Sequence, residues 1–252
     1  MTVAAAWHLS SNVGDALTPW LVSKIRTGET CAWVPYDFPS EHYVVTGSIL
    51  NHASDKAFIW GAGIASMTDG VNGCARIFAI RGPISRARAL ACGAKCPAVY
   101  GDPGLLVPRF YDKPVKVEHE VGYVPHYVDL FRVSEKYPGE KVIDVLDTVE
   151  NVVDAIRSCK RIASSSLHGI VLAHAFGIPA AWVKWSDSIG GDGSTKYRDY
   201  LLSIGVDLDG PVDRRIHSEQ IYNGSYTLPD PAVLKKLRED LWGACPIRRP
   251  GE

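Results

Sequence analysis

The chain has 252 residues, of which 46% are hydrophobic and 22% are charged, and its formal net charge is -1. This composition is typical of a globular protein with one large domain or two small ones. The near-zero charge argues against nucleic-acid binding, which usually requires a basic excess. No apolar run reaches the roughly 20 residues of a membrane span and the N-terminus lacks a leader-like pattern, so we expect a cytoplasmic protein.

The cysteines do not suggest a metal centre. The six of them, at positions 31, 74, 92, 96, 159 and 245, lack the paired spacing of zinc sites. We expect reduced thiols, several of them in the core, and neither a metal nor a redox cofactor.

The N-terminal stretch predicts a strand at residues 3–7, a polar loop and a helix. Apolar side chains recur at helical spacing, at Leu17, Leu21 and Ile25. At the start of that helix, Gly14 would let the backbone approach a ligand closely, and Asn12 and Asp15 would present polar side chains. The same residues also suit a plain helix cap without a ligand, and both interpretations stay open.

Four more strands are predicted in the first half, at residues 43–46, 57–60, 75–80 and 98–100. The second of them ends in Gly61-Ala62-Gly63. In parallel α/β sheets the ligand crevice lies beyond the carboxyl ends of the strands, where a small residue such as Gly63 keeps the cleft open. Glycines also simply form turns, so each one alone is a weak signal.

Arg81 directly follows the strand at 75–80, and Pro83 begins a helix that also carries Arg86. A guanidinium at the carboxyl end of a strand can bind a carboxylate or phosphate through two parallel hydrogen bonds. Asp102 follows the next strand, where it either positions a loop or touches a substrate. We therefore expect Arg81 to face an anionic ligand.

A polar, proline-containing segment at 110–117 separates a second series of elements from the first. Strands are predicted at 121–124, 142–145, 161–164 and 180–183. His126 and Asp129 follow the first of them, Lys184 follows the last, and Lys196 lies at the start of a later helix. An amphipathic helix at 231–242 is expected to pack back on the first domain.

Residues 162–179 place His168 where a strand turns into a helix. Ser164, Ser165 and Ser166 follow a short apolar run, and a buried helix begins near Leu167. Free N–H groups and the positive end of the helix dipole favour an anionic ligand there, and an imidazole could shuttle a proton to it. The alternative is a histidine that only bonds a neighbouring carbonyl.

These elements predict an α/β protein of two Rossmann-like βαβ domains, residues 1–115 and 116–252, that face each other across a cleft. Arg81 from one domain and His168 from the other would point into that cleft.

Seven blocks, in this order along the chain, resemble the polysaccharide pyruvyl transferase family, in particular the short bacterial exopolysaccharide and capsule enzymes. They are NVGD, GSIL, WGAGI, RGPISR, GDPGLLVP, GYVPHYVD and SSSLHGIVLAHAFGIP, between about Trp7 and about Leu202. An ordered set is far more specific than any one block. The resemblance implies a fold like the two-domain GT-B glycosyltransferases. It also implies transfer of a pyruvyl group from phosphoenolpyruvate to a sugar, commonly as a cyclic ketal, without a further cofactor.

The family's leucine–histidine pair matches Leu167-His168, and its strand-end arginine matches Arg81. Many relatives have an arginine directly before the leucine, whereas this chain has Ser166, so one expected cation for the donor is missing. Candidates to replace it are Arg86, Lys184, Lys196 and Arg198.

Within that chemistry, His168 is predicted to shuttle the proton, a role that typically contributes about 10²- to 10⁴-fold to a rate. Arg81 and the first turn of the His168 helix would bind phosphoenolpyruvate. Asp129 is the third predicted catalytic residue, and with His126 and Asp15 it is a candidate to hold or deprotonate the sugar hydroxyls. Further substrate contacts are predicted at Asn12, Gly14, Gly63, Ser165, Ser166 and Leu167.

The acceptor is expected to be a sugar, either free or lipid-linked. A lipid-linked acceptor would place the protein at the inner face of the cytoplasmic membrane, with the basic C-terminal region as a peripheral contact. Two alternatives stay open. One is a nucleotide-sugar-dependent GT-B glycosyltransferase, whose helix N-terminus would bind the diphosphate. The other is a non-catalytic glycan-binding relative. This alternative stays open because Ser166 replaces an arginine that would bind the donor.

Overall fold

A computed structural model describes residues 2–10, 12–189, 192–212 and 225–249. Within these residues the chain is an α/β protein with two parallel β-sheets. The first sheet has the strand order β2-β1-β3-β4-β5. Its strands are β1 (Thr2–Ala5), β2 (Thr30–Trp33), β3 (His42–Val44), β4 (Ala57–Trp60) and β5 (Arg76–Ala79). Because all pairs are parallel, their carboxyl ends lie at one edge of the sheet.

The second sheet has the order β7-β6-β8-β9, and its pairs are also parallel. Its strands are β6 (His119–Val124), β7 (Lys141–Val142), β8 (Cys159–Ser164) and β9 (Ala180–Trp182). The register pairs Val124 with Ser164 and Ser164 with Trp182. The carboxyl ends of β6, β8 and β9 therefore meet beside the segment that carries His168.

Seven α-helices lie within the described residues: α1 (Val13–Ile25), α2 (Pro83–Ala91), α3 (Leu130–Lys136), α4 (Val149–Arg157), α5 (Leu167–Ala175), α6 (Thr195–Ser203) and α7 (Pro231–Gly243). α5 is buried on every side. A Cβ on its Gly169 would lie 2.7 Å from Val124 Cγ1 and closer still to Ser164 Oγ. Glycine at this position therefore lets α5 pack directly on β6 and β8.

One hydrophobic core joins the two sheets, since Leu17 and Leu105 belong to the same buried cluster as Val171 and Leu241. α7 contributes to it from the C-terminal part of the chain, and the indole N–H of Trp60 donates to Leu241 O at 2.9 Å. The division at residues 115 and 116 and the GT-B-like relation of the two halves stay predictions.

Several local predictions were wrong. Residues 98–100 form only an isolated bridge between Ile80 and Tyr100, and a 3₁₀ helix, Pro103–Arg109, follows. The strand predicted at 142–145 has only two residues. β2 escaped the sequence reading because it is a short edge strand of partly exposed residues, which gives no alternating pattern. α3 was also missed.

Candidate functional site

His168 lies in the first turn of α5, as the sequence predicts. Ser164 shapes the turn that precedes the helix, because its Oγ donates to Val124 O at 2.8 Å and accepts from Ser166 N at 3.0 Å. Ser166 is the N-cap residue, yet its side chain makes no capping hydrogen bond within the described chain. The first-turn N–H groups of α5 are thus left for another acceptor, which an anion can supply.

Leu167 contributes to this turn through its backbone. Its side chain is only 5% exposed and belongs to the hydrophobic core. A substrate contact by Leu167 would therefore come from its N–H group.

The imidazole of His168 lies beside a buried carboxylate. His168 Nε2 is 3.3 Å from Asp102 Oδ2, an ion-pair distance without aligned hydrogen-bond geometry. Asp102 is fully buried, and its other oxygen, Oδ1, accepts from Gly104 N at 2.9 Å. Pro103 and Gly104 begin the 3₁₀ helix that this aspartate caps. The carboxylate is thus fixed by its own loop, with Oδ2 close to the histidine.

Gly14 closes the other side of the imidazole. A Cβ on Gly14 would lie 2.7 Å from Cε1 and 2.8 Å from Cγ of His168, and closer still to Nδ1. A side chain at this position would therefore force the imidazole or the backbone to move. Gly14 belongs to the first turn of α1, so the N-terminal ends of α1 and α5 meet at His168.

Asn12 and Asp15 organise the start of α1. Asn12 Oδ1 accepts from Gly14 N at 2.8 Å, which caps the helix, and the Asn12 amide also donates to Asp15. Ser10 Oγ donates to the same carboxylate. Burial raises the pKa of Asp15, while the Ser10 hydrogen bond and the imidazoles of His168 and His8 oppose the shift. Asn12 therefore caps α1, its substrate contact stays a prediction, and Asp15 is a partly buried carboxylate beside His168.

Lys196 is a partly buried cation in the first turn of α6. Burial and the positive charge of Arg81 lower the pKa of Lys196 to about 8, and the carboxylate of Asp15 opposes this shift. Among the described residues, no carboxylate lies within ion-pair distance of its ammonium group. Lys196 thus shares its electrostatic environment with residues from the first half of the chain.

The other three cations proposed to replace an arginine at position 166 are already engaged. Lys184 Nζ is 2.5 Å from Asp187 Oδ1, and Arg198 Nη2 is 3.9 Å from Asp209 Oδ1. Arg86 Nε donates to the carbonyls of Cys96 and Pro97, both at 3.2 Å. The structure therefore favours Lys196 over these three as the available cation.

His126, Asp129 and Ser165 form a group at the carboxyl ends of β6 and β8. Ser165 Oγ accepts from His126 N at 2.9 Å and donates to Asp129 Oδ2 at 3.3 Å. Burial and the positive charge of Lys196 lower the pKa of His126 to about 4, and Asp129 opposes the shift. His126 is therefore neutral near pH 7, and Asp129 is a carboxylate only 1% exposed.

The predicted placement of Arg81 as an open donor cation needs correction. Its guanidinium is fully buried, with Nε 3.0 Å from Asp199 Oδ2, Nη1 2.7 Å from Ser48 Oγ and Nη2 2.5 Å from Ile64 O. Asp199 also accepts from Ser85 N at 2.8 Å, at the start of α2. A buried guanidinium requires such partners. The ion pair fastens α6 to the end of β5.

Gly63 also has a different neighbour from the predicted substrate. A Cβ at this position would lie 2.5 Å from Arg81 Cζ, so the glycine makes room for the guanidinium. Asp199 was missed by sequence reasoning. The available signal was a carboxylate among the buried residues of α6, where a charged group needs a partner.

Outside the His168 cluster, the described residues line a cavity but form neither a metal-binding group nor a membrane-spanning helix. A cavity of about 800 Å³ opens at the opposite end of α5, with Phe176, Arg157 and Leu234 in its lining. Among the described residues, no group of three or more histidines, cysteines or carboxylates could hold a metal ion. None of the described helices has the length and apolar character needed to cross a bilayer.

Comparison with known proteins gives a family and two relatives. The sequence model of the polysaccharide pyruvyl transferase family matches residues 33–187. An uncharacterized protein, L143, of Acanthamoeba polyphaga mimivirus is 30% identical over 211 residues, which cover 79% of this chain and 72% of the viral protein. The succinoglycan biosynthesis protein ExoV of Rhizobium meliloti is 26% identical over 213 residues, which cover 77% of this chain and 62% of that protein.

The family match includes Arg81, Asp102, Asp129 and His168, and it ends before Lys196. It spans more than half of the 252 residues and contains six of the seven sequence blocks, all except NVGD. The chain belongs to the polysaccharide pyruvyl transferase family.

Proposed function

We propose that this protein transfers a pyruvyl group from phosphoenolpyruvate to sugar hydroxyls of a polysaccharide repeat unit, forming a pyruvate ketal and releasing phosphate. The observation that carries the proposal is the position of His168, between Gly14 and Asp102 at a helix N-terminus without a side-chain cap. Family membership supplies the reaction class, and the succinoglycan relative supports a polysaccharide acceptor.

The donor carries a phosphate and a carboxylate, so its site needs positive charge or N–H donors at two separate points. The first turn of α5 supplies N–H groups and the positive end of the helix dipole. Lys196 supplies the second point, because its partly buried ammonium has no ion-pair partner among the described residues and contacts only the ring face of Tyr197, 5.2 Å from the centroid, in the described chain. Arg81 then acts indirectly, since its ion pair with Asp199 holds the helix that carries Lys196.

The reaction begins with proton transfer from the His168 imidazolium to the methylene carbon of phosphoenolpyruvate. C2 becomes an oxocarbenium-like centre, and a sugar hydroxyl attacks it and loses its proton to a base. The bond between C2 and the phosphate oxygen then breaks, and a second hydroxyl attacks C2 to close the ketal. Two hydroxyl protons are released, one methyl group is formed, and inorganic phosphate leaves.

Three groups are suited to the hydroxyl protons. Asp15 has a pKa raised by burial, which makes its carboxylate a better base than an exposed one. Asp129 is buried and touches Ser165, and His126 stays neutral near pH 7 and so accepts hydrogen bonds. In the proposal Asp15 takes the hydroxyl proton, while Asp129 and His126 orient the sugar.

The setting of the reaction is also part of the proposal. The two parallel sheets suit a GT-B-like arrangement with the acceptor between them, and a lipid-linked acceptor would bring the protein to the inner face of the cytoplasmic membrane. The basic C-terminal residues are a weak membrane contact, because Lys236 pairs with Asp240 at 2.6 Å and Arg249 with Glu29 at 3.0 Å. In the proposal, the protein is therefore held at the membrane by binding the lipid-linked acceptor near His168 rather than by its basic C-terminal residues.

The test is phosphate release from phosphoenolpyruvate with a pool of galactosides, glucosides, mannosides and lipid-linked oligosaccharides. We expect acceptor-dependent release that falls by at least about 10²-fold in His168→Gln. His119→Gln, at the opposite end of β6, is the matched control and should keep full activity. No phosphate release with any acceptor would contradict the proposal. Tight binding of a nucleotide sugar would then support the glycosyltransferase alternative. Glycan binding without phosphate release would support the non-catalytic one.

A further inference from the structure

The carboxylate of Asp102 is held in a single orientation by its own loop. Oδ1 accepts from Gly104 N at 2.9 Å, and Asp102 caps the 3₁₀ helix Pro103–Arg109. Oδ2 is buried, and no described residue donates a well-aligned hydrogen bond to it. His168 Nε2 lies 3.3 Å from Oδ2.

A buried carboxylate oxygen without a donor is unfavourable, and the N–H group of an imidazole is the donor within reach. If Nε2 were unprotonated, its lone pair would face the lone pairs of Oδ2, and both atoms would be buried without a proton between them. The geometry therefore favours a hydrogen on Nε2. The other ring nitrogen, Nδ1, then has the lone pair; it packs against the backbone of Gly14 in the first turn of α1, but unlike Nε2 it is not a fully buried atom.

We propose that Asp102 is a positioning residue that fixes His168 in the Nε2–H tautomer, so that Nδ1 is the nitrogen that exchanges a proton with the substrate. The chemical consequence rests on the proposed function. Nδ1 binds a proton to form the imidazolium and gives it to the methylene carbon of the donor, and the proton on Nε2 stays in place. The negative charge of Asp102 stabilises the imidazolium between these two steps.

This assignment joins the two halves of the chain in one catalytic unit. Asp102 and Gly14 lie in the first half, and His168 lies in the second. Residues of the first half of the chain therefore set both the tautomer and the orientation of an imidazole that belongs to the second half. A sequence comparison limited to the His168 helix would not reveal this dependence.

The experiment is a long-range ¹H–¹⁵N correlation spectrum of protein labelled with ¹⁵N-histidine, recorded where the ring is neutral. His168 is assigned by the signal that is lost in His168→Gln. We expect a protonated Nε2 and an unprotonated Nδ1 in the unchanged protein. A predominant Nδ1–H tautomer in that protein would overturn the proposal, and this measurement needs neither a variant at Asp102 nor turnover.

Asp102→Asn supplies the second arm. An asparagine keeps the oxygen that caps the helix but places an amide N–H₂ toward Nε2, so we expect the tautomer to change to Nδ1–H. In the phosphate-release assay kcat should fall by about 10²-fold or more, with KM for phosphoenolpyruvate changed far less. Asp230→Asn is the matched control, since Asp230 also caps a helix, with Oδ1 2.7 Å from Ala232 N, and should change neither readout.

The two arms separate this inference from the proposed function. An Nε2–H tautomer together with silence in the phosphate-release assay would leave the Asp102 assignment standing and reject pyruvyl transfer. Phosphate release by the unchanged protein, together with a folded Asp102→Asn variant whose His168 tautomer is unchanged, would support pyruvyl transfer and reject the Asp102 assignment. If that variant does not fold, the tautomer of the unchanged protein decides.

Discussion

Replacing Gly14 with alanine should abolish most activity without unfolding the protein. The added Cβ would lie 2.7 Å from Cε1 and 2.8 Å from Cγ of His168, where ordinary van der Waals contact begins at 3.4 Å. The backbone of Gly14 is fixed by its hydrogen bond to Asn12 Oδ1, and its carbonyl accepts from Thr46 Oγ1 at 2.8 Å. The imidazole is therefore the group that moves.

The required displacement is at least about 0.7 Å at Cε1 and about 1 Å or more at Nδ1, which would lie closest to the new Cβ. Such a shift carries Nε2 away from Asp102 and Nδ1 away from its present position. A misplacement of about 1 Å at a reacting group costs about 10²-fold in rate. Alanine itself favours a helix over glycine by roughly 0.5–1 kcal/mol, so helix propensity partly offsets the packing strain in the free energy of unfolding.

The assay compares phosphate release and urea unfolding for Gly14→Ala and Gly243→Ala. Gly243 also lies in a helix, and a Cβ there meets nothing within 4 Å, so its variant makes the same chemical change without the clash. We expect the control to keep full activity and the Gly14 variant to lose about 10²-fold in kcat with a cooperative unfolding transition. Full activity of a folded Gly14→Ala protein would refute the packing of His168 on this helix turn.

Three other predictions follow from the buried charges. Asp199→Asn leaves its buried arginine partner without a counter-charge and should lower the free energy of unfolding by roughly 3–5 kcal/mol in urea titrations; Asp112→Asn, at an exposed ion pair, should cost no more than about 1 kcal/mol, and equal effects would contradict the burial argument. Lys196→Gln should raise KM for phosphoenolpyruvate about 10-fold or more, whereas Lys184→Gln should not; because the pKa of Lys196 is about 8, KM of the unchanged protein should also rise above that pH, and a flat profile would exclude this lysine. Burial lowers the pKa of His174 to about 4, so the unfolded state binds a proton that the folded state does not between that pH and ~6.5; this histidine should lower the free energy of unfolding by about 2 kcal/mol from pH 7 to pH 5, His126 should act in the same direction, and an increase would contradict this.

Much of the second half was readable in the sequence because its signals are local. The strand at β8, the serines after it and the apolar helix that follows lie within about twenty consecutive residues, and α5 begins at Leu167 as predicted. The cap and buried face of α1 were readable for the same reason. The family's ordered blocks gave the reaction class, and the family match agrees with it.

The burial of Arg81 in an ion pair could not be predicted from the sequence, because its partner Asp199 lies 118 residues further along the chain. A guanidinium at a strand end looks the same in sequence whether it meets a substrate or a buried carboxylate. Gly63 presented the same ambiguity, since its space is filled by Arg81. The choice among the four candidate cations required the tertiary structure, in which Lys184 and Arg198 form ion pairs and Arg86 donates to backbone carbonyls.

By itself, then, the sequence determined the α/β class, the helix turn that carries His168 and the family. These depend on hydrophobic periodicity, helix caps and short motifs, all of which act between residues a few positions apart. The tertiary structure alone decided that Asp102 and Gly14 enclose the imidazole and that Arg81 is fastened to α6 while Lys196 stays unpaired among the described residues. Those contacts join segments that are far apart in the sequence, and only the packing of the two sheets on one core brings them together.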